Sequence, residues 1–84
     1  MASARFHASD AFGPYRAQGW RDVPGNGCAL YDPDSFDPAD PLGLYLLRLD
    51  RHGRPCLGAG WQDAEMRSLA RATCAAIMAG DSCH

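Results

Sequence analysis

The stretch from Leu42 to Ala79 constrains this chain most. Leu42–Leu49 is a dense apolar run, Asp50–Arg54 carries turn residues, Pro55–Ala59 is a second short apolar run, and Asp63–Ala79 has helical periodicity. Leu42, Leu44 and Leu46 fall on one face of an extended segment and Tyr45, Leu47 and Leu49 on the other. A strand apolar on both faces is central or covered twice. Gly43 and the flanking turn signals favour a strand over a helix here. Asp50-Arg51-His52-Gly53 supplies the hairpin, with Gly53 suited to a left-handed position. Pro55 cannot donate to a ladder, which makes Arg54–Ala59 an edge strand.

Met66, Leu69, Ala70, Thr73 and Ile77 then share one helical face. Asp63 is a natural N-cap, Glu65 suits the first turn, Asp63 and Arg67 form an i,i+4 pair, and Gly80 ends the helix. Upstream, Pro24-Gly25-Asn26-Gly27 is a turn signal, and a hairpin from Trp20 to Tyr31 fits around it, with a first strand in Tyr15–Val23. The expected fold is α+β: a small three- or four-stranded antiparallel sheet with one C-terminal α-helix packed across it. Residues 1–14 read as an N-terminal arm that either docks through Phe6 and Phe12 or stays mobile, residues 15–80 as one domain, and residues 81–84 as a frayed tail. Trp61 is expected to cap the core. Burying about 150–250 Å² of indole at ~25 cal/mol/Å² would make Trp61→Ala the worst-tolerated change, at up to ~4–6 kcal/mol.

With 84 residues there is room for one modest core. The net charge of −2 leaves no overall basic footprint for nucleic acid, and no apolar run approaches the length of a bilayer span. All eight basic residues are Arg and nine of the ten acidic residues are Asp, a bias that reads as genomic composition. The first ten residues lack a signal-peptide core, so a cytoplasmic protein with reduced thiols is expected. Cys28, Cys56, Cys74 and Cys83 are far apart, without the close pairs of a zinc site. Cys28, Cys56 and Cys74 read as small buried hydrophobes, and Cys83 as a thiol open to oxidation between molecules.

The densest chemistry is Asp32–Pro41, which holds Asp32, Asp34, Asp37, Asp40 and three prolines around Phe36. It opens like a calcium loop, but the fifth, sixth and twelfth positions are Phe36, Asp37 and Gly43, so the ligand pattern fails. Two readings remain: a solvated loop whose aspartates cap turns, or an acidic surface that engages a basic partner. Arg48, Arg51, His52 and Arg54 surround the hairpin tip, a secondary surface for phosphate or an acidic patch, or simply a soluble turn. Gly58-Ala59-Gly60 before a helix lacks the third glycine of a dinucleotide fingerprint, and Asp63 would repel a phosphate there. Catalysis needs a nucleophile, a base and an orienter within reach, whereas His7, His52 and His84 sit on an arm, a turn and the terminus. Even a Cys56–His52 pairing across the hairpin has nothing to orient the imidazole.

The expected function is therefore a non-enzymatic protein-binding module that uses no cofactor and contacts neither nucleic acid nor membrane directly. Asp32, Asp34, Asp37 and Asp40 would occupy a basic, nucleic-acid-binding surface of a partner, with Phe36 as the apolar anchor. In small size, acidity and lack of catalytic residues the chain resembles phage- and mobile-element-encoded accessory proteins, which include inhibitors of host defence such as anti-CRISPR proteins. No motif carries that likeness. The alternatives are a metal- or redox-responsive domain using Cys56, Cys74, Cys83 and His84, and a structural subunit of a larger complex.

Overall fold

The computed structural model of the chain describes residues 8–80. Helix α1 (Ala8–Ala17) leads through a turn at Gly19, with φ +106, into β1 (Arg21–Asp22), β2 (Ala29–Tyr31), β3 (Tyr45–Leu49), β4 (Pro55–Ala59) and helix α2 (Ala64–Met78). The four strands form one antiparallel sheet in the order β1-β2-β3-β4. The α+β fold with a C-terminal helix on an antiparallel sheet is thus the observed one.

The double-sided apolar pattern of β3 has a direct structural counterpart. Leu44 and Leu46 join Val23, Ala29, Tyr31, Met66, Ala70 and Cys74 in one core beneath α2. Leu47 joins Phe12 and Leu30 in a second, smaller core beneath α1, edged by Tyr15, Trp20 and Leu49. The architecture is three layers, helix, sheet and helix, with β3 inside. The helix α1 was not expected. It spans the boundary set between arm and domain, and it takes Tyr15 out of the expected first strand, which shortens to two residues. Phe12 is fully buried, whereas Phe6 and the 81–84 tail lie outside the described residues.

Four further expectations are corrected. The β3 strand starts at Tyr45 rather than Leu42, because Pro41 opens a 3-10 turn over Pro41–Gly43 that feeds Leu42 sideways against Gly60 and the first core. Trp61 is 61% exposed and caps nothing: Gly60 fits tightly against Leu42 and Ala70, and the chain turns there with the indole outside. Among the described thiols only Cys74 is buried; Cys28 is exposed in the β1–β2 connection and Cys56 half-buried on the edge strand. At the start of α2, Asp63 caps as expected, its Oδ1 accepting from the Met66 N–H at 2.8 Å. The carboxylate is engaged there, and no Asp63–Arg67 ion pair forms.

Candidate functional site

The connection from β2 to β3 holds the four aspartates, and its backbone is tied down residue by residue. Asp32 caps a 3-10 turn over Pro33–Ser35, its Oδ1 accepting from the Asp34 N–H at 3.1 Å. The Ser35 hydroxyl donates to the Asp32 carbonyl at 2.7 Å and accepts from the Tyr45 N–H at 2.9 Å, which stitches the loop to the start of β3. Asp37 Oδ1 accepts from the Ala39 N–H at 2.9 Å. The Asp40 carboxylate lies over Gly43, where a Cβ would come within 2.6 Å of its Oδ2. The Asp32 and Asp37 bonds are the local side-chain turns that aspartate favours, whereas the Asp40 side chain caps no backbone N–H.

The turn-capping reading of the loop is observed, and three of its carboxylates stay on the surface. Asp32 and Asp37 cap turns, and Asp34, Asp37 and Asp40 are exposed. Phe36 is not displayed with them: it is half-buried and packs against the core beneath α2. Among the described residues no three His, Cys, Asp or Glu side chains come together in a way that would hold a metal ion.

The basic group divides. Arg51, His52 and Arg54 are exposed on the turn between β3 and β4, where Asp50 Oδ1 accepts from the His52 and Arg54 N–H groups at 2.8 and 2.9 Å. The Arg54 bond is the largest effect and, with the weaker His52 bond and the nearby positive charge, holds the Asp50 carboxyl below its usual range against a desolvation effect second only to the Arg54 bond. Gly53, with φ +77, takes the left-handed position expected of it. Arg48 does not belong to this tip. It lies in the ladder opposite Cys56 and Ala29, and its Nη1 meets Glu65 Oε1 of α2 at 3.1 Å. The acidic loop and the basic turn thus occupy opposite ends of β3, about 15 Å apart at ~3.3 Å per residue.

Sequence reasoning missed the aromatic surface at the acidic end. Tyr45 opens β3 at 42% exposed and pairs with Ala59; Trp61, two residues beyond Ala59, emerges at the same end of the sheet. Its signal was an indole between Gly60 and a helix cap, which fits an exposed turn as well as a capped core. A shallow cleft lined by Arg48, Cys56, Gly58, Gln62, Asp63 and Met66, with a volume of about 120 Å³, lies between β4 and the start of α2. It has no nucleophile–base pair, since His52 is out on the turn. Burial first, and the Asp40 charge second, push the Cys74 thiol up, so it is a poor thiolate. Cys83 and His84 lie outside the described residues, and Cys74 sits at the Pro41 carbonyl with Sγ 3.9 Å away, in the core. No described helix is long and apolar enough to cross a membrane. No protein-family model, curated protein or solved structure matches the chain.

Proposed function

We propose that the protein is a non-enzymatic binding module whose acidic loop covers a basic surface of a protein partner. The observation that carries this reading is the fixed display of Asp34, Asp37 and Asp40. All three are exposed on a backbone held by side-chain turns, two 3-10 turns, the Ser35 bridge and the buried side of Phe36. A loop ordered before binding loses little entropy on binding. Clustered carboxylates accelerate encounter with a positive surface and make it salt-dependent. Tyr45 and Trp61 add amphipathic rings at the same end, the residue types that dominate interface energetics. Phe36 serves from beneath, by holding the loop in shape. A surface that binds phosphates is the partner surface such a loop matches best. The mode of action is occlusion of a nucleic-acid-handling protein, for which a small phage or mobile-element inhibitor is the natural setting.

The test uses the charge and leaves the turns intact. Asparagine keeps the Oδ1 acceptor, so changing Asp32, Asp34, Asp37 and Asp40 to Asn removes four charges while the caps survive. Wild-type protein is expected to retain a partner from a host lysate, to release it at high salt and to yield it to added nucleic acid. The folded variant should retain it at least ~10-fold less well. Equal recovery on both baits, or no partner on either, sinks the reading.

A further inference from the structure

The outer edge of the sheet at β4 points to a specific occupant. Hydrogen-bonding direction along the ladders follows from three bonds: Val23 N–H to the Ala29 carbonyl, Asp32 N–H to the Tyr45 carbonyl, and Asp50 N–H to the Arg54 carbonyl. Alternation then directs the backbone groups of Cys56 and Gly58 toward β3 and those of Pro55, Leu57 and Ala59 outward. Among the described residues no strand pairs with that outer side.

The three outward positions are not equivalent. Pro55 has a carbonyl and no N–H. Leu57 presents both groups unpaired in any hydrogen bond to the described chain. Ala59 is already served by Gln62, whose backbone N–H donates to the Ala59 carbonyl at 3.0 Å and whose side-chain Oε1 accepts from the Ala59 N–H at 2.8 Å. A strand added here must face Pro55 with a carbonyl that needs no donor. A generic peptide leaves that carbonyl orphaned, at the cost of an unmet hydrogen bond.

We infer that the occupant is a second copy of this chain, paired antiparallel through β4 about a twofold axis at Leu57. In that register Leu57 exchanges both bonds with Leu57 of the second copy, and Pro55 faces Ala59. The Ala59 carbonyl keeps its Gln62 N–H, so the missing proline donor leaves nothing unmet. The Ala59 N–H passes from the Gln62 side chain to the Pro55 carbonyl of the other copy. Every outward group is then satisfied, and four strands become a continuous eight.

Side chains and charge agree with this pairing. Leu57 is 60% exposed on the α1 side of the sheet, with Tyr45 diagonal to it, and the twofold sets the two Leu57 side chains against each other. The edge is bounded by Arg54 before it and Asp63 after it, both exposed. Antiparallel pairing places Arg54 of one copy opposite Gly60 of the other, alongside the segment that leads to Asp63. The opposite edge, β1, is two residues long and offers no comparable template.

Sedimentation equilibrium of the full chain under reducing conditions, which exclude a Cys83 disulfide, is expected to show a monomer–dimer equilibrium. Leu57→Lys sets two like charges across the axis and should weaken the dimer by about tenfold or more. Gln62→Ala frees the Ala59 N–H for the second copy and should tighten it. The Leu57 amide should gain protection from hydrogen exchange as concentration rises. A chain monomeric into the millimolar range overturns the inference, as does a dimer indifferent to Leu57→Lys or weakened by Gln62→Ala.

Discussion

Gly60 shows how closely single positions are set in this molecule. A Cβ there would lie 2.8 Å from Leu42 Cδ2, 3.1 Å from the Leu42 Cα and 3.1 Å from Ala70 Cβ, against backbone as well as side chain. Gly60→Ala would wedge α2 away from the loop that carries the aspartates, and is expected to cost about 1–3 kcal/mol in urea unfolding. Its neighbour behaves in the opposite way. With an exposed indole, Trp61→Ala should shift stability by less than ~1 kcal/mol, whereas Leu46→Ala, fully buried, should cost about 2–5 kcal/mol. A Trp61→Ala loss as large as that of Leu46→Ala would place the indole inside after all. The sequence made Trp61 the larger hydrophobe and so the expected core residue, but size predicts burial only when the backbone turns the side chain inward. The tight approach of Gly60 to Leu42 and Ala70, which sets that turn, is a tertiary contact invisible to local pattern. Cys28 and Cys56 fail as core residues for the same reason: a small apolar side chain says nothing of which way a turn or an edge strand faces.

At the scale of elements, local signals were most legible where backbone chemistry decides. Asp63 as N-cap, the left-handed Gly53, the edge position demanded by Pro55 and the α2 stripe all depend on local geometry, and all are observed. Asp63→Ala should destabilise α2 by about 1 kcal/mol, seen as a lower urea midpoint with an unchanged slope. The β3–β4 turn carries a pH signature. Because the folded Asp50 carboxyl titrates below its unfolded value near 3.8, its contribution is present above that pH and is lost as pH falls through the folded value. The stability gap between wild type and Asp50→Ala should therefore narrow in strong acid, and a gap constant from neutral pH to about pH 2 would contradict the cap. α1 escaped notice because its composition speaks against it. Gly13 and Pro14 stand in mid-helix, Pro14 removes one i→i−4 bond, and the segment has little of the apolar stripe that marks α2. It is a helix held by packing, through Phe12 and Tyr15, more than by propensity.

The whole molecule is therefore lopsided, with consequences for how it opens. Among the described residues, eight buried side chains lie in the core beneath α2 and three in the core beneath α1, so the described layers on the two faces of the sheet are of unequal strength. The double apolar pattern of β3 announced that both faces would be covered; which segment covers the second could not be read, because only the assembled sheet presents Leu30 and Leu47 as a surface for Phe12. The carboxylates of the acidic loop were legible as a cluster, whereas the inward turn of Phe36 depends on a core formed by residues distant in sequence. Stability in such a molecule is graded, and the element with fewest buried contacts opens first. Amides of α1 are expected to exchange with solvent well before those of α2 and β3. Phe12→Ala removes the largest member of the small core and should cost about 3–5 kcal/mol if the domain unfolds as one unit. If α1 opens alone, the cost registers only up to the free energy of that local opening, and the variant keeps its sheet, α2 and acidic loop. The second outcome is expected, because the aspartate loop is fixed by Phe36, Leu42 and the 3-10 turn at Pro41, all on the α2 side. Hydrogen exchange on Phe12→Ala should then show α1 unprotected beside a protected β3. Uniform loss of protection across both layers would show that the two cores stand or fall together.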